Sequence, residues 1–345
     1  MKKIAKKSII LLLIVVLTLS IFACGTPNTL MVDNVVVDIQ EAVLVVGEEV
    51  TLAATVTPQD AANRNIAWTS SNTNVVTVDN NGKCTAVGSG EATVTVTTAE
   101  GAKTAQCKIY SGDIIVDASE ETETDYGGVL GTSLFKSIGE AMAIITEDST
   151  VIIKNGDYNE DVIATSSVTL IGVDYPVIQS FTMNADDATI ILKGLAFSNT
   201  SFPNGGEATI DILQGASVTI TDCTLIINTT ETLVGGYAIL VDKQAQKVEI
   251  TNCTISNYRY GIYVYPTDKQ INITNNTFSN LSIGIGVDIR QENSEPPTNY
   301  PTTGSVSDNE YNEVTTAAQF FHYGESYEGG FVFADYEQDE EIVEE

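Results

Sequence analysis

Five residues in the second half of the chain have the types and spacing that sugar recognition requires. Tyr263 and Tyr265 alternate in YGIYVYP, and Asp242 and Asp288 directly follow the related stretches YAILV and IGIGV. If the aliphatic residues of these stretches face a core, strand alternation turns both tyrosines and both carboxylates outward. Aromatic rings stack on the C–H faces of sugars, and carboxylates bind sugar hydroxyls. We therefore predict a ligand-binding face of Asp242, Tyr263, Tyr265 and Asp288, with Arg290 and residues 291–304 as one wall.

The same face offers a weaker basis for catalysis. Two carboxylates that lie two strands apart are separated by about 9–10 Å, near the upper limit for the acid and base of an inverting glycosidase. Asp242, Asp288 and Arg290 are thus the catalytic candidates, although no signature motif joins them. The alternative is an ordinary solvated strand face on which the tyrosines pack as edge residues.

Other catalytic and metal-binding patterns are missing from the sequence. His322 is the single histidine, and its setting FFHYGESYEGG is more typical of a C-terminal cap than of a catalytic centre. No Cys-x-x-Cys or Cys/His spacing predicts zinc, and there is no Ser-His-Asp set or phosphate-binding glycine loop. We expect no cofactor; calcium binding by surface carboxylates stays open, without a motif to support it.

A repeated phrase must position these candidate residues. SVTITDCTLIIN, KVEITNCTISNY and QINITNNTFSNL are three copies, and the Asp/Asn/Gly position recurs at intervals of 28, 30, 23 and 33 residues from Gly194 to Asp308. Repeats of this period indicate a solenoid, whose units stack because none can bury its apolar face alone. A second phrase follows, starting at Tyr237, Tyr260, Ile283 and, more loosely, Thr316. Two alternating strand phrases in fixed order are typical of a parallel β-helix.

The residue after the Asp/Asn is Cys223, Cys253, Asn276 or Asn309. These four should stack at a turn about 4.8 Å apart, the spacing between strands. Asparagine amides stacked in this way can form a hydrogen-bonded ladder, and cysteine fills the same inward position as a small apolar residue. Two reduced, buried thiols are favoured over a Cys223–Cys253 disulfide, because in-register strands rarely suit the disulfide torsion.

The stretch VIIKNGDYNEDVIATSSVTLIG resembles the first coil of the pectate-lyase-like right-handed β-helix superfamily. It has G-x-Y-x-E at Gly156, Tyr158 and Glu160 and closes at Gly172. With the repeats, the resemblance covers about residues 133–325 and implies a right-handed parallel β-helix with its saccharide cleft on an outward strand face. Lyases, esterases, hydrolases and binding proteins share this fold, so the resemblance leaves the activity open. Helical spacing in SLFKSIGEAMAII predicts an N-terminal cap helix at 133–146.

Residues 32–110 have the Val/Thr alternation and regular turns of a β-sandwich. The stretch VVGEEVTLAATVTPQ, the core strand around Trp68 and the closing NGKCTAVGSGEATV resemble the bacterial immunoglobulin-like domain, group 2. This resemblance implies a stalk or adhesion module, with Trp68 in its core. Cys84 and Cys107 lie in the last strands, and the sequence leaves open whether they form a disulfide or two buried thiols.

The N-terminus has the layout of a secretory signal, with four lysines before a short apolar run that ends in IFAC at Cys24. It resembles a bacterial lipobox, which implies lipidation of Cys24 and export to the cell envelope. The alternative is an ordinary secretory cleavage site with an unrelated cysteine. The formal net charge of −30 opposes binding to nucleic acid and to anionic lipid surfaces.

The predicted fold class is all-β: an Ig-like β-sandwich followed by a right-handed parallel β-helix with one short N-terminal cap helix. The predicted divisions are a signal peptide (1–23), a tether (24–31), the sandwich (32–110), a linker (111–132), the β-helix (133–334) and an acidic disordered tail (335–345).

We expect a membrane-anchored surface lipoprotein that binds glycan or another surface polymer. The alternatives are a polysaccharide-degrading lyase or hydrolase acting in the same cleft, and a purely structural or adhesive envelope protein.

Overall fold

The computed structural model describes residues 30–119, 131–198, 208–213, 215–227, 236–242, 245–265, 270–288, 290–291, 298–299, 302–321 and 331–334. The signal peptide with Cys24, most of the tether, His322 and the tail at 335–345 lie outside these residues. In the described residues the chain is nearly all β-structure, and the predicted fold class is confirmed.

Nine strands form the N-terminal sandwich: β1 (Asn34–Val37), β2 (Glu41–Val45), β3 (Glu49–Thr51), β4 (Ala54–Thr57), β5 (Ile66–Ser70), β6 (Val76–Val78), β7 (Lys83–Ala86), β8 (Gly90–Thr98) and β9 (Thr104–Gly112). They form because apolar residues alternate with threonines along them; in β8, for example, every second residue from Ala92 onward is buried. The sheets have the strand orders β2-β9-β8-β5 and β3-β7-β6, and β1 pairs with β4. Trp68 packs against both apolar clusters of the sandwich.

Cys84 and Cys107 are fully buried in the core between the sandwich sheets, and both are free thiols. Burial raises the pKa of Cys84 to about 11. Burial and the neighbouring Cys84 raise the pKa of Cys107 to about 12. The disulfide that the sequence left open is therefore not formed in the structure, and both thiols are protonated and unreactive at neutral pH.

The remaining strands wind into parallel coils with three faces. The first face contains β10 (Ile114–Val116), β11 (Leu134–Phe135), β12 (Ser149–Ile153), β14 (Val168–Gly172), β17 (Thr189–Lys193), β20 (Ser217–Thr221), β23 (Lys247–Thr251), β26 (Gln270–Thr274), β30 (Thr303–Ser307) and β32 (Phe331–Phe333). The second face contains β15 (Val177–Ile178), β18 (Ala196–Phe197), β21 (Thr224–Ile226) and β24 (Thr254–Ser256). The third face contains β13 (Asp161–Ala164), β16 (Ser180–Asn184), β19 (Ala208–Leu213), β22 (Tyr237–Val241) and β25 (Tyr260–Val264).

Two long strands, β27 (Thr277–Asp288) and β31 (Glu310–Phe321), continue from the second face into the third. A short antiparallel pair, β28 (Arg290–Gln291) and β29 (Thr298–Asn299), follows β27. The coils stack in register, so that the same aliphatic position of each repeat lies in the core. Leu192, Ile220, Ile250, Ile273 and Val306 are consecutive partners on the first face, and all five are fully buried.

The repeated Asp/Asn is the turn between the first and second faces. Its backbone has a positive φ in every copy: 64° at Gly194, 56° at Asp222 and Asn252, 58° at Asn275 and 61° at Asp308. Glycine, asparagine and aspartate tolerate this left-handed conformation best, which explains why the repeat uses them here.

The next residue of the phrase points inward and forms the predicted ladder. The Asn276 side chain accepts a hydrogen bond from Cys253 N at 2.9 Å and donates to Ile250 O at 2.9 Å, and Asn309 Nδ2 donates to Ile273 O at 2.9 Å. In the preceding rungs the Cys253 and Cys223 thiols lie 3.8 and 3.7 Å from the equivalent carbonyls. Both thiols are free, and the repeated phrase is therefore structural.

The N-terminal cap is shorter than predicted. The described helix, α1, covers Ile138–Met142 rather than 133–146, and Leu134–Phe135 instead forms β11, which pairs with β10. Two consecutive buried residues suit a strand end against the first face, while Ile138 and Ala141 supply the apolar side of the helix. Both join the β-helix core, so α1 does cover the N-terminal end of the coils.

The G-x-Y-x-E residues of the first coil fasten this cap. The Glu160 carboxylate accepts hydrogen bonds from Ile138 N at 3.0 Å and Gly139 N at 2.8 Å, at the start of α1. The buried Tyr158 hydroxyl lies 2.9 Å from Lys154 O and 3.3 Å from Val116 O. These residues thus hold α1 and β10 against the first coil.

Replacing Glu160 with alanine is expected to destabilise the cap by about 2 kcal/mol, because two backbone N–H groups lose a charged acceptor. Urea unfolding measures the loss, and hydrogen exchange at Ile138 and Gly139 locates it. Glu140→Ala is the matched control: Glu140 is exposed in the same helix, and its loss should change stability by less than about 0.5 kcal/mol. Equal effects of the two substitutions would contradict the capping role of Glu160.

The junction between the domains is structured where it is described. Residues 111–112 end β9, and 114–116 form β10 in the β-helix sheet, so this part of the predicted 111–132 linker is not a solvated joint. Val43 and Tyr110 of the sandwich share one apolar cluster with Ile152 and Ile171 of the β-helix. Ile114, Ile115 and Val116 are buried, which is the physical reason that the chain pairs here instead of remaining in solvent.

Candidate functional site

The third face of the β-helix places the predicted ligand-binding residues on adjacent strands. Leu240, Tyr263 and Gly286 are direct partners on β22, β25 and β27. Asp242, Tyr265 and Asp288 each follow the next paired position, at Val241, Val264 and Val287. The register predicted from the second phrase is therefore the one observed.

Four tyrosines, not two, lie together on this face. The rings of Tyr237 and Tyr260 stack with centroids 4.9 Å apart, Tyr263 contacts Tyr237 edge-on at 5.7 Å, and Tyr265 contacts Tyr263 at 5.2 Å. Arg259 lies over the Tyr260 ring at 5.2 Å. We name Tyr237, Tyr260, Tyr263 and Tyr265 the tyrosine face.

Sequence reasoning missed Tyr237 and Tyr260 because strict alternation would turn them inward. Strands β22 and β25 have two consecutive buried residues, Ala238-Ile239 and Gly261-Ile262, so that the first tyrosine of each strand faces outward with Leu240 or Tyr263. The small residue at the second position is the sequence feature that could have indicated this break.

Tyr263 is packed rather than uncovered. Its ring lies against the backbone of Gly286, where an added Cβ would be 2.6 Å from the ring. Burial, followed by the charge of Asp288, raises the pKa of Tyr263 to about 12. Its phenol is therefore protonated at neutral pH and can donate a hydrogen bond.

Asp288 is not the open carboxylate that the sequence predicted. It is 5% exposed, and its two oxygens bind Arg290 Nε at 3.1 Å and Arg290 Nη2 at 3.0 Å. The backbone N–H of Arg290 also donates to Asp288 Oδ1 at 2.9 Å. This bidentate pair holds Arg290 beside the tyrosine face. Because both oxygens of Asp288 accept hydrogen bonds from Arg290, Asp288 does not suit the role of acid or base in a catalytic pair.

A carboxylate outside the prediction, Asp211, lies at the other end of the face. It pairs with Leu240 in register, and burial, followed by the charge of Asp242, raises its pKa. Its Oδ1 is buried and has no hydrogen-bond partner among the described residues. Extending the register of the second phrase one strand toward the N-terminus would have identified it, because Ile210 and Ile212 point inward.

Among the described residues, no group of three or more His, Cys, Asp and Glu side chains could hold a metal ion. In the same part of the chain, no helix is long and apolar enough to cross a membrane. In the predicted wall, the structure shows that β28 pairs with β29. Residues 292–297, 300 and 301 of this wall lie outside the described residues.

Family comparisons agree with this architecture. Residues 31–109 match the bacterial Ig-like domain (group 2), and residues 131–300 and 237–320 match the right-handed beta helix region. The chain belongs to the right-handed β-helix family and carries a bacterial Ig-like domain at its N-terminal side.

Three relatives match short stretches of this chain. Two uncharacterized proteins of Clostridium acetobutylicum are 41% and 37% identical over 18% and 29% of this chain, and over 16% and 11% of their own lengths. A 3-O-alpha-D-galactosyl-alpha-L-arabinofuranosidase of Bifidobacterium longum subsp. longum is 35% identical over 26% of this chain and 7% of its own length. The chain thus spans less than a fifth of each relative, and its two domain types fit a carbohydrate-related surface protein.

Proposed function

We propose that the protein is an exported, lipid-anchored protein of the bacterial cell surface that binds glycan through the tyrosine face. The observation that carries this proposal is the contact of four outward tyrosine rings, flanked by Asp211 and Asp242 at one end and by the Asp288–Arg290 pair at the other. Rings supply stacking surfaces for sugar C–H groups, while the phenols and charged groups bind hydroxyls.

The domain arrangement supports a presenting role for the sandwich. An N-terminal lipid on Cys24 would anchor the chain, the Ig-like domain would act as a spacer, and the β-helix would meet the polymer. The direct continuation of β9 into β10 and the shared apolar cluster would hold the β-helix in a defined orientation. The formal net charge of −30 favours neutral glycans over nucleic acid and other polyanions.

Replacing Tyr263 with alanine is expected to weaken glycan binding about tenfold, because the loss of one stacked aromatic ring corresponds to about 1.4 kcal/mol. A glycan array that includes arabinogalactan and uronic-acid polymers identifies the ligand, and titration calorimetry measures the affinity. Thr251→Ala, on the first face of the β-helix, is the control and should bind like the wild type. Unchanged binding by Tyr263→Ala, or no glycan bound by the wild type, would exclude the tyrosine face as a glycan site.

The second candidate function is polysaccharide cleavage, and one observation favours it. Asp211 is a partly buried carboxyl whose pKa is raised, the property expected of a general acid, and it lies near the carboxylate of Asp242. The name of the Bifidobacterium relative is consistent with saccharide chemistry in that protein. The wild type and Asp211→Asn are each incubated with the polymers that bind on the array. The products distinguish simple binding from cleavage by hydrolysis or elimination. New reducing ends or unsaturated products from the wild type alone would establish an enzyme.

A further inference from the structure

A second concave site lies where the sandwich meets the first coils of the β-helix. It is a cleft of about 180 Å³, which Glu91, Lys108 and Tyr110 line on the sandwich side. Asp174, Tyr175 and Asp222 line it on the β-helix side. Domain junctions are common positions for ligand sites. We name this space the junction cleft; it lies at the turn between the first and second faces, whereas the tyrosine face is on the third.

The repeat itself explains why the cleft is open. Gly172, Gly194 and Asp222 occupy equivalent turn positions on successive rungs, because Ile171 pairs with Lys193 and Lys193 with Thr221. The first two positions carry no side chain, and the third carries a carboxylate. A Cβ on Gly194 would lie 2.9 Å from the Gly172 carbonyl oxygen, so the two glycines also permit close stacking of the coils. The turn corner therefore carries no side chain at Gly172 and Gly194, two residues that line the cleft.

The walls of the junction cleft are held in place by contacts between the domains. Lys193 Nζ lies 2.7 Å from Glu91 Oε1, and Lys108 Nζ lies 3.1 Å from Glu91 Oε2. The buried side of Tyr110 packs in the apolar cluster with Ile171 and Val173. The cleft thus has polar walls above a buried apolar cluster. Because these contacts already hold the lining side chains in place, ligand binding loses less side-chain conformational entropy.

The chemistry of the cleft suits one neutral sugar residue. Tyr175 is 54% exposed and offers a large ring surface at the rim. Within the described part of the chain, the carboxylates of Asp174 and Asp222 form no hydrogen bond or ion pair, so they are free to accept from hydroxyl groups. A volume of 180 Å³ is that of about six water molecules and smaller than pockets for drug-sized ligands. We propose that the junction cleft binds a single neutral monosaccharide unit, stacked on Tyr175 and hydrogen-bonded by Asp174 and Asp222.

The backbone at Tyr175 allows a clean test. Tyr175 has φ of 55°, a conformation in which glycine is relaxed and other residues are strained. Tyr175→Gly therefore removes the ring without a backbone penalty, and its thermal unfolding midpoint should be no lower than that of the wild type. Asp174 and Asp222 have φ of 57° and 56°, which asparagine also tolerates, so Asp174→Asn and Asp222→Asn remove only the charges.

The experiment uses D-galactose, L-arabinose, D-glucose and D-galacturonate as probes, with saturation-transfer NMR and calorimetry on the full mature chain. We expect at least one neutral sugar to bind, with about a tenfold loss of affinity in Tyr175→Gly and in Asp222→Asn. Galacturonate should bind more weakly than galactose, because its carboxylate would face Asp174 and Asp222. Binding of no neutral sugar by the wild type, or equal affinity in folded Tyr175→Gly, overturns the proposal.

Cross-comparison separates the junction cleft from the tyrosine face. Tyr263→Ala should leave monosaccharide binding at the cleft unchanged, and Tyr175→Gly should leave polymer binding at the tyrosine face unchanged. If Tyr263→Ala alone abolishes the monosaccharide signal, the sugar occupies the tyrosine face and the cleft proposal is wrong. If Tyr175→Gly alone abolishes it while no polymer binds, the cleft stands and the glycan function of the tyrosine face fails.

Discussion

Asn276→Ala is expected to lower the free energy of unfolding by about 3 kcal/mol, because it leaves two buried backbone groups of the preceding coil, Cys253 N and Ile250 O, without their side-chain partner. Asn276 is 1% exposed. Its Oδ1 accepts from Cys253 N at 2.9 Å, and its Nδ2 donates to Ile250 O at 2.9 Å and to Asn309 Oδ1 at 3.0 Å. Water cannot replace these bonds in an apolar core without first being buried itself. Urea unfolding followed by circular dichroism gives the change in midpoint.

The control for this prediction is built into the ladder. Cys253 occupies the equivalent position one coil earlier, but its thiol lies 3.8 Å from Ile220 O and makes only a weak bond. Cys253→Ala should therefore cost about 1 kcal/mol, the value of a small buried group. Hydrogen exchange of the amides in β23 and β26 detects local opening if the coils do not unfold together. Similar losses from Asn276→Ala and Cys253→Ala would mean that volume, not hydrogen bonding, stabilises the ladder.

Gly261→Ala is expected to cost about 3 kcal/mol through overpacking of the β-helix interior. A Cβ at this position would overlap the carbonyl oxygen of Gly284 on the next coil and would lie 3.1 Å from the Phe278 ring. Phe278 is fully buried and stacks on Tyr311 with ring centroids 5.3 Å apart, so it has little room to move. Either the coil spacing or the aromatic stack must change. Thermal and urea unfolding measure the loss.

Ala238→Gly is the matched control, because Ala238 holds the equivalent position one coil earlier and is fully buried there. This substitution removes a buried methyl group and gives the unfolded chain more backbone freedom. It should therefore lower the free energy of unfolding by about 1.5 kcal/mol. The predicted order is thus a larger penalty for adding a methyl at position 261 than for removing one at position 238. The reverse order would show that the coils can separate locally, and that the glycine is not required by close packing.

The site was only partly predictable from the sequence, for reasons that particular residues make clear. The register of Asp242, Tyr265 and Asp288 follows from counting within a repeat. The consecutive buried pairs Ala238-Ile239 and Gly261-Ile262 interrupt the alternation, and this turns Tyr237 and Tyr260 outward. Whether a strand makes such a break depends on the neighbouring coils against which it packs, and a pattern of apolar residues does not contain that information.

Asp288 shows the same limit for electrostatics. Its place on the third face was predictable, but its pairing with Arg290 depends on side-chain geometry two residues further along the chain.

The domain junction is a third example. Residues 111–132 were predicted to form a linker, whereas Ile114, Ile115 and Val116 pair with β12 in the β-helix sheet.

What the sequence by itself determined is the solenoid: its alternating aliphatic residues, the left-handed turn at Asp222, Asn252 and Asn275, and the inward ladder that follows. These features are local, because each depends on the conformational preference of one residue or on the two-residue period of a strand. Only the tertiary structure decided which side chains meet on the outside, including the tyrosine face and the junction cleft. Such contacts arise between coils and domains far apart in the chain, where stacking distances and the absence of a Cβ, as at Gly172 and Gly194, decide what fits.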